Sequence, residues 1–147
     1  MSRAWLALVV VLGVGVSHRA LADDTADCDW FEISATSGKT PSIDPELKAF
    51  EKKLTHKPLS SWNVFHKLSS GHAHLEKLKA QSLKLAQGSA SVLLRDRSDR
   101  RLELGIAIDG ADGKRVLDTK QSAAAGEWSV FVHNVKDDGH ILALTCK

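Results

Sequence analysis

Histidines offer the most suggestive chemistry in this chain. His72-Ala73-His74 sets two imidazoles at positions i and i+2. On a strand both point to the same side and can share a metal ion. His66 or His56, brought in by the fold, would complete such a site. The competing reading is a set of solvated histidines in a polar stretch of Ser, Gly and His. Asp109-Gly110-Ala111-Asp112-Gly113 has a faint likeness to a calcium loop. Ala111 and Gly113 fall on ligand positions, however, and no Glu follows at the required distance, so a tight turn explains these residues better. Asp137-Asp138-Gly139 reads the same way. There is no Gly-x-Ser-x-Gly elbow, and paired carboxylates cannot be assigned to hydrolysis without geometry. No catalytic residue and no cofactor is expected.

Cys28 and Cys146 are the only cysteines. In an oxidising compartment such a pair is expected to form a disulfide, which would lay the first and last ordered segments side by side. It also removes the two thiols as nucleophiles. A metal site built on two cysteines alone lacks the usual neighbouring ligands.

The oxidising compartment is inferred from the N-terminus. Met1-Ser2-Arg3 is followed by an uncharged run from Ala4 to Val16 and by Ala20-Leu21-Ala22. A basic start, a short apolar stretch and an A-x-A site describe a cleavable secretion signal over residues 1–22. The run is shorter than the roughly 20 apolar residues of a membrane span. Lipidation is not expected, because Thr25-Ala26-Asp27 before Cys28 is not the small apolar stretch that acylation requires. The export reading leaves periplasm and medium both open. Loss of Arg3 and Arg19 with the signal turns 20 basic residues into 18, against 18 acidic ones. The exported form is then neutral, which gives no support to nucleic-acid or membrane binding.

The charge is unevenly spread. Residues 48–101 hold twelve Lys/Arg and four acids. Within them Arg95, Arg97, Arg100 and Arg101 cluster, offering a patch for an anionic envelope polymer or partner. Solvated basic residues on a helix face and in a turn are the plainer explanation. Nucleic-acid recognition would need aromatics among the arginines, and there are none.

These groups must be positioned by a mostly strand-like chain. Residues 23–27 form a short acidic N-terminus, and 28–147 are expected to form one domain. In Cys28–Thr36, Phe31, Ile33 and Ala35 face one way and Trp30, Glu32 and Ser34 the other. Asp44-Pro45-Glu46 is a helix start, with Asp44 as cap, Pro45 at the first position, and Leu47, Phe50 and Leu54 at helical spacing. Residues 60–87 fit helix or strand, and strand is the preferred reading although Ser69-Ser70-Gly71 interrupts the pattern. Leu102, Leu104, Ile106 and Ile108 alternate strictly with Glu103, Gly105, Ala107 and Asp109. In Glu127–Asn134, Trp128, Val130 and Val132 share a face. Strands at roughly 10–12-residue spacing with Gly/Asp turns predict an antiparallel β-sandwich, its one short amphipathic helix covering an end or an edge.

The segment from Ile43 to Ser61, with Asp44-Pro45-Glu46-Leu47 and Lys57-Pro58-Leu59-Ser60-Ser61-Trp62, and the later Asp112-Gly113-Lys114-Arg115-Val116-Leu117-Asp118-Thr119, resembles a family of small exported bacterial β-rich proteins of uncharacterised function. The resemblance implies export and a β fold and carries no catalytic residues. The expected function is a non-enzymatic binding or structural module of the cell envelope. The alternative is a small secreted hydrolase or a histidine-based metal-binding protein.

Overall fold

The structure is a computed structural model, and it describes residues 24–147. The expected signal at 1–22 lies outside the described residues. The chain is mainly β, with two largely antiparallel sheets and one short helix. Among the described residues nine strands follow in chain order: β1 Thr25–Thr36, β2 Ser42–Ile43, β3 Val64–Glu76, β4 Gln81–Leu83, β5 Ser89–Arg97, β6 Arg101–Asp109, β7 Arg115–Ala124, β8 Trp128–Val135 and β9 Asp138–Cys146. One sheet has the order β2-β3-β1-β9-β8, the other β4-β5-β6-β7. Among the described strands the two-residue β2–β3 pairing is the parallel one, and an isolated Lys77–Leu94 bridge is also parallel.

β1 lies at the centre of the five-stranded sheet and is covered on both faces, which is why its sequence alternation is blurred. Ala26, Cys28 and Trp30 point into a cluster shared with Val92, Leu94 and Leu104 of the second sheet. Ile33 and Ala35 point the other way, into a second cluster with Leu47, Phe50, Leu54 and Leu59. Those four leave the segment between β2 and β3, so the short helix covers a sheet face rather than an end or an edge. That segment is mostly 3-10 turn at Pro45–Phe50 and continues as the helix α1, Glu51–Leu54.

Asp44 does not cap it. The carboxylate instead accepts the Lys67 amide at 2.8 Å and contacts His66 Nδ1 at 3.1 Å. The β2–β3 pairing places Asp44 beside a strand whose amide competes for it. The Lys67 amide, aided by His66, holds the Asp44 carboxyl below its ordinary value.

The ambiguous region 60–87 is strand over most of its length. Ser69-Ser70-Gly71 does not break β3, because Gly71 stands opposite Trp30 and makes room for the indole. A Cβ at Gly71 would sit 2.7 Å from Trp30 Cζ2. The β1–β3 register slips between Glu32 and Ile33, where Ser69 and Lys67 are successive partners. A bulge of this kind turns a side chain away from the regular ladder.

Cys28 and Cys146 are directly opposed on β1 and β9 and form a disulfide across a sequence separation of 118. Asp27 and Lys147 exchange two backbone hydrogen bonds just outside it. Among the described residues no helix is long and apolar enough to cross a membrane.

Candidate functional site

The most unusual chemistry lies inside the fold. Glu32 is fully buried on the inward side of β1, next in parity after Trp30. Its carboxylate accepts hydrogen bonds from Ser69 Oγ at 2.6 Å, the Ala86 amide at 2.6 Å, the Gln87 amide at 3.0 Å and His140 Nε2 at 2.6 Å. Burial pushes the carboxyl up. The donors, with His140 foremost, outweigh burial and hold it down at about 2. Glu32 is therefore ionised and accepts only, so His140 donates to it from Nε2.

His140 is 4% exposed and stands opposite His133 in the β8–β9 register. The two rings meet edge to face with centroids 4.7 Å apart. His133 Nδ1 is buried without a hydrogen-bond partner. Burial, with a smaller effect of His140, pushes the His133 imidazole below its ordinary value. Both histidines line a cavity of about 310 Å³ between the end of β8 and the turn at Gly110–Asp112. The cavity lining contains no Ser, Thr, Cys or Lys. The titratable side chains of the lining are Asp112, His133 and His140, and carboxylates and imidazoles are groups that can serve as bases or nucleophiles.

The sequence-stated candidates lie elsewhere. His72 and His74 do share one face of β3 and are exposed. His72 Nδ1 contacts Asp29 Oδ1 at 2.9 Å, and His74 Nδ1 contacts Asp27 Oδ1 at 2.8 Å. His66 does not join them: six residues along the strand set it roughly 20 Å away, engaged by Asp44. Among the described residues no group of three or more His, Cys, Asp or Glu could hold a metal ion.

Arg95, Arg97, Arg100 and Arg101 do gather at the β5–β6 hairpin, with Asp96 and Asp99 interleaved. Arg97 donates to the Thr25 carbonyl at 2.5 Å, and Arg101 Nε donates to Ser122 Oγ at 3.2 Å. Only Arg95 and Arg100 are left as exposed charges without such bonds among those described. The turn reading of Asp109–Gly113 matches its backbone bonds: the Gly110 amide donates to the Lys114 carbonyl, and Gly113 to Gly110.

A further surface is the free edge of β8. Among the described residues this strand pairs only with β9, and it carries no Asp, Glu, Lys, Arg or Pro along Trp-Ser-Val-Phe-Val-His-Asn-Val. Beside it runs a groove of about 340 Å³ lined by Lys53, Lys57, Leu59, Trp128, Val130 and Val132. Of the other edges, β7 carries Arg115, Asp118 and Lys120, charges of the kind that discourage strand addition. β2 covers β3 only at Val64 and Phe65, and β4 covers β5 only at Ala90–Val92, so apart from a Lys77–Leu94 bridge the rest of those two strands has no further partner strand on that side among the described residues.

No protein-family model and no curated protein matches the chain. Among solved structures, the T2SS secretin XcpQ from Pseudomonas aeruginosa is similar at a TM-score of 0.36 and 12% identity, over 84% of this chain and 57% of that one. The chain thus spans little more than half the length of that neighbour, and a likeness this low assigns it neither fold nor role.

Proposed function

We propose that this chain is an exported, non-enzymatic binding module of the cell envelope: one β-sandwich domain over residues 28–147 that captures an extended segment of a partner protein along β8. The open edge of β8 carries the reading. An unpaired strand edge presents alternate N–H and C=O groups, and the occupant that satisfies them is another strand. The adjacent groove adds pockets for alternate apolar side chains. Lys53 pairs with Glu127 of the same lining at 3.8 Å, so Lys57 is the groove lysine that favours a segment with an acidic residue.

The shared apolar cluster between the two sheets supports the sandwich. The Cys28–Cys146 bridge supports an oxidising location, in keeping with the signal pattern at 1–22.

Selection of peptides from a displayed random library against the full chain tests this. Selected peptides should alternate apolar residues and include an acid. Their binding should slow amide exchange at alternate positions of Trp128–Val135. Protection confined to the Gly110–Asp112 cavity or to the β5–β6 hairpin would refute the reading, as would a failure to select any binder.

A further inference from the structure

The cavity beside His133 draws its wall from both sheets. β8 gives His133 and Val135, β9 gives His140, and the other sheet gives Val116 of β7 with the Gly110–Asp112 turn. His133 and Val135 are two apart on one strand and face the same way. Phe131 and Leu142, paired on the same two strands, belong to the apolar cluster shared by the sheets. The cavity begins where that cluster stops.

Its lining calls for an occupant that is mostly apolar. Among the described residues the exposed large apolar side chains are Leu78, Val116 and Val135, and two of these three stand at this cavity. Apolar surface gathered in a hollow favours an apolar ligand. One polar group in the wall is unused: His133 Nδ1 is buried without a partner. A hydroxyl both donates and accepts, and so suits the imidazole in either tautomer.

Charge and size narrow the class further. Asp112 stands in the wall, and ionised Glu32 lies behind His140 at 2.6 Å, with no Lys or Arg in the lining to offset them. An anion is disfavoured there. The burial that pushes the His133 imidazole below its ordinary value disfavours a cation as well. A closed apolar cavity of about 150 Å³ holds benzene, so one of about 310 Å³ holds a substituted ring. The His133–His140 pair already packs edge to face, an arrangement that a third aromatic ring extends.

We propose that this cavity binds a small neutral phenol, its ring against Val116 and Val135 and its hydroxyl on the His133 imidazole. Glu32 is a positioning residue, since its hydrogen bond fixes the His140 ring in the wall. The site shares no lining residue with the groove beside β8, so it stands or falls separately from peptide capture there.

NMR titration of the isotopically labelled full chain, disulfide intact, with para-ethylphenol tests the assignment. Saturable shifts should centre on Ala111, Val116 and Val135. Ethylbenzene, which lacks the hydroxyl, should bind about 5- to 10-fold more weakly. The ions para-ethylbenzoate and para-ethylbenzylammonium should each bind at least about 10-fold more weakly. His133→Phe should bind para-ethylphenol and ethylbenzene alike, and Val116→Asp should weaken both. Val116 is exposed, His133→Phe removes a nitrogen without a partner, and circular dichroism checks that each variant is folded. Absence of saturable shifts overturns the proposal, as do shifts centred on the groove beside Trp128 or tighter binding of either ion. Equal binding of para-ethylphenol and ethylbenzene to the parent, or a hydroxyl preference that survives in His133→Phe, overturns the role given to His133.

Discussion

Replacing Glu32 with Gln changes charge and almost no volume, and so isolates what the buried carboxylate contributes. Glu32 is held at about 2 against an ordinary 4.5. Such a gap corresponds to about 3 kcal/mol of folding free energy at neutral pH. The group is fully buried, so solvent screening does not reduce the figure. Because the folded value is the lower one, the unfolded chain takes up the proton first as pH falls. The contribution is complete above about pH 5 and drains away between 4.5 and 2.

Glu32→Gln lacks it at every pH. Its amide also points a donor into a ring of four donors. Urea unfolding followed by tryptophan fluorescence at pH 7, 5, 3.5 and 2.5 should show the variant about 3 kcal/mol less stable at pH 7. The difference should shrink steadily below pH 4.5. Asp27, Asp44, Glu76 and Asp96 are also held low. They occur in both proteins and cancel in the difference. A gap that stays constant down to pH 2.5, or one under about 1 kcal/mol at pH 7, would refute the ionised, four-donor description of Glu32.

Two other changes have clear signs. Cys28→Ser/Cys146→Ser opens a closure of 118 residues and should cost on the order of 4–5 kcal/mol in the chain-entropy account; reductant added to the parent should reproduce the loss in the same urea assay. His133→Phe removes an imidazole nitrogen that has no partner and should be neutral to stabilising by about 1 kcal/mol at pH 8. Since burial lowers the folded value of His133, the parent should lose stability as pH falls below about 6.5. The melting-temperature advantage of the variant should then be larger at pH 5.5 than at pH 8, and an advantage that shrank on acidification would be the wrong sign.

Sequence pattern reveals an element best where one face meets water. β6 alternates strictly, and its Leu102, Leu104, Ile106 and Ile108 are the buried set. Trp128, Val130 and Val132 on β8 share the face that packs under the 45–59 segment. Where both faces are covered, as in β1, the alternation carries less information. Ser69-Ser70-Gly71 reads as a break because the reason for Gly71 is a ring on another strand, 41 positions away. Asp44 has the local chemistry of a helix cap, but a long-range amide wins it. The inner Glu32–His140 pair is separated by 108 residues, and no local spacing connects them. The available signal was a lone Glu flanked by Phe31 and Ile33 in a strand, a position that demands an internal partner. His72 and His74 were legible as a pair from their spacing; that Asp27, rather than His66, stands beside them required the register.

The position of the disulfide also has a mechanical consequence. Cys28 and Cys146 close the chain where it enters and leaves the fold, with Asp27 and Lys147 hydrogen-bonded just beyond. Tension applied through these two ends would run across a covalent link and bypass the strands between them. The domain would hang as an unloaded side loop, its sheets and the β8 edge keeping their shape.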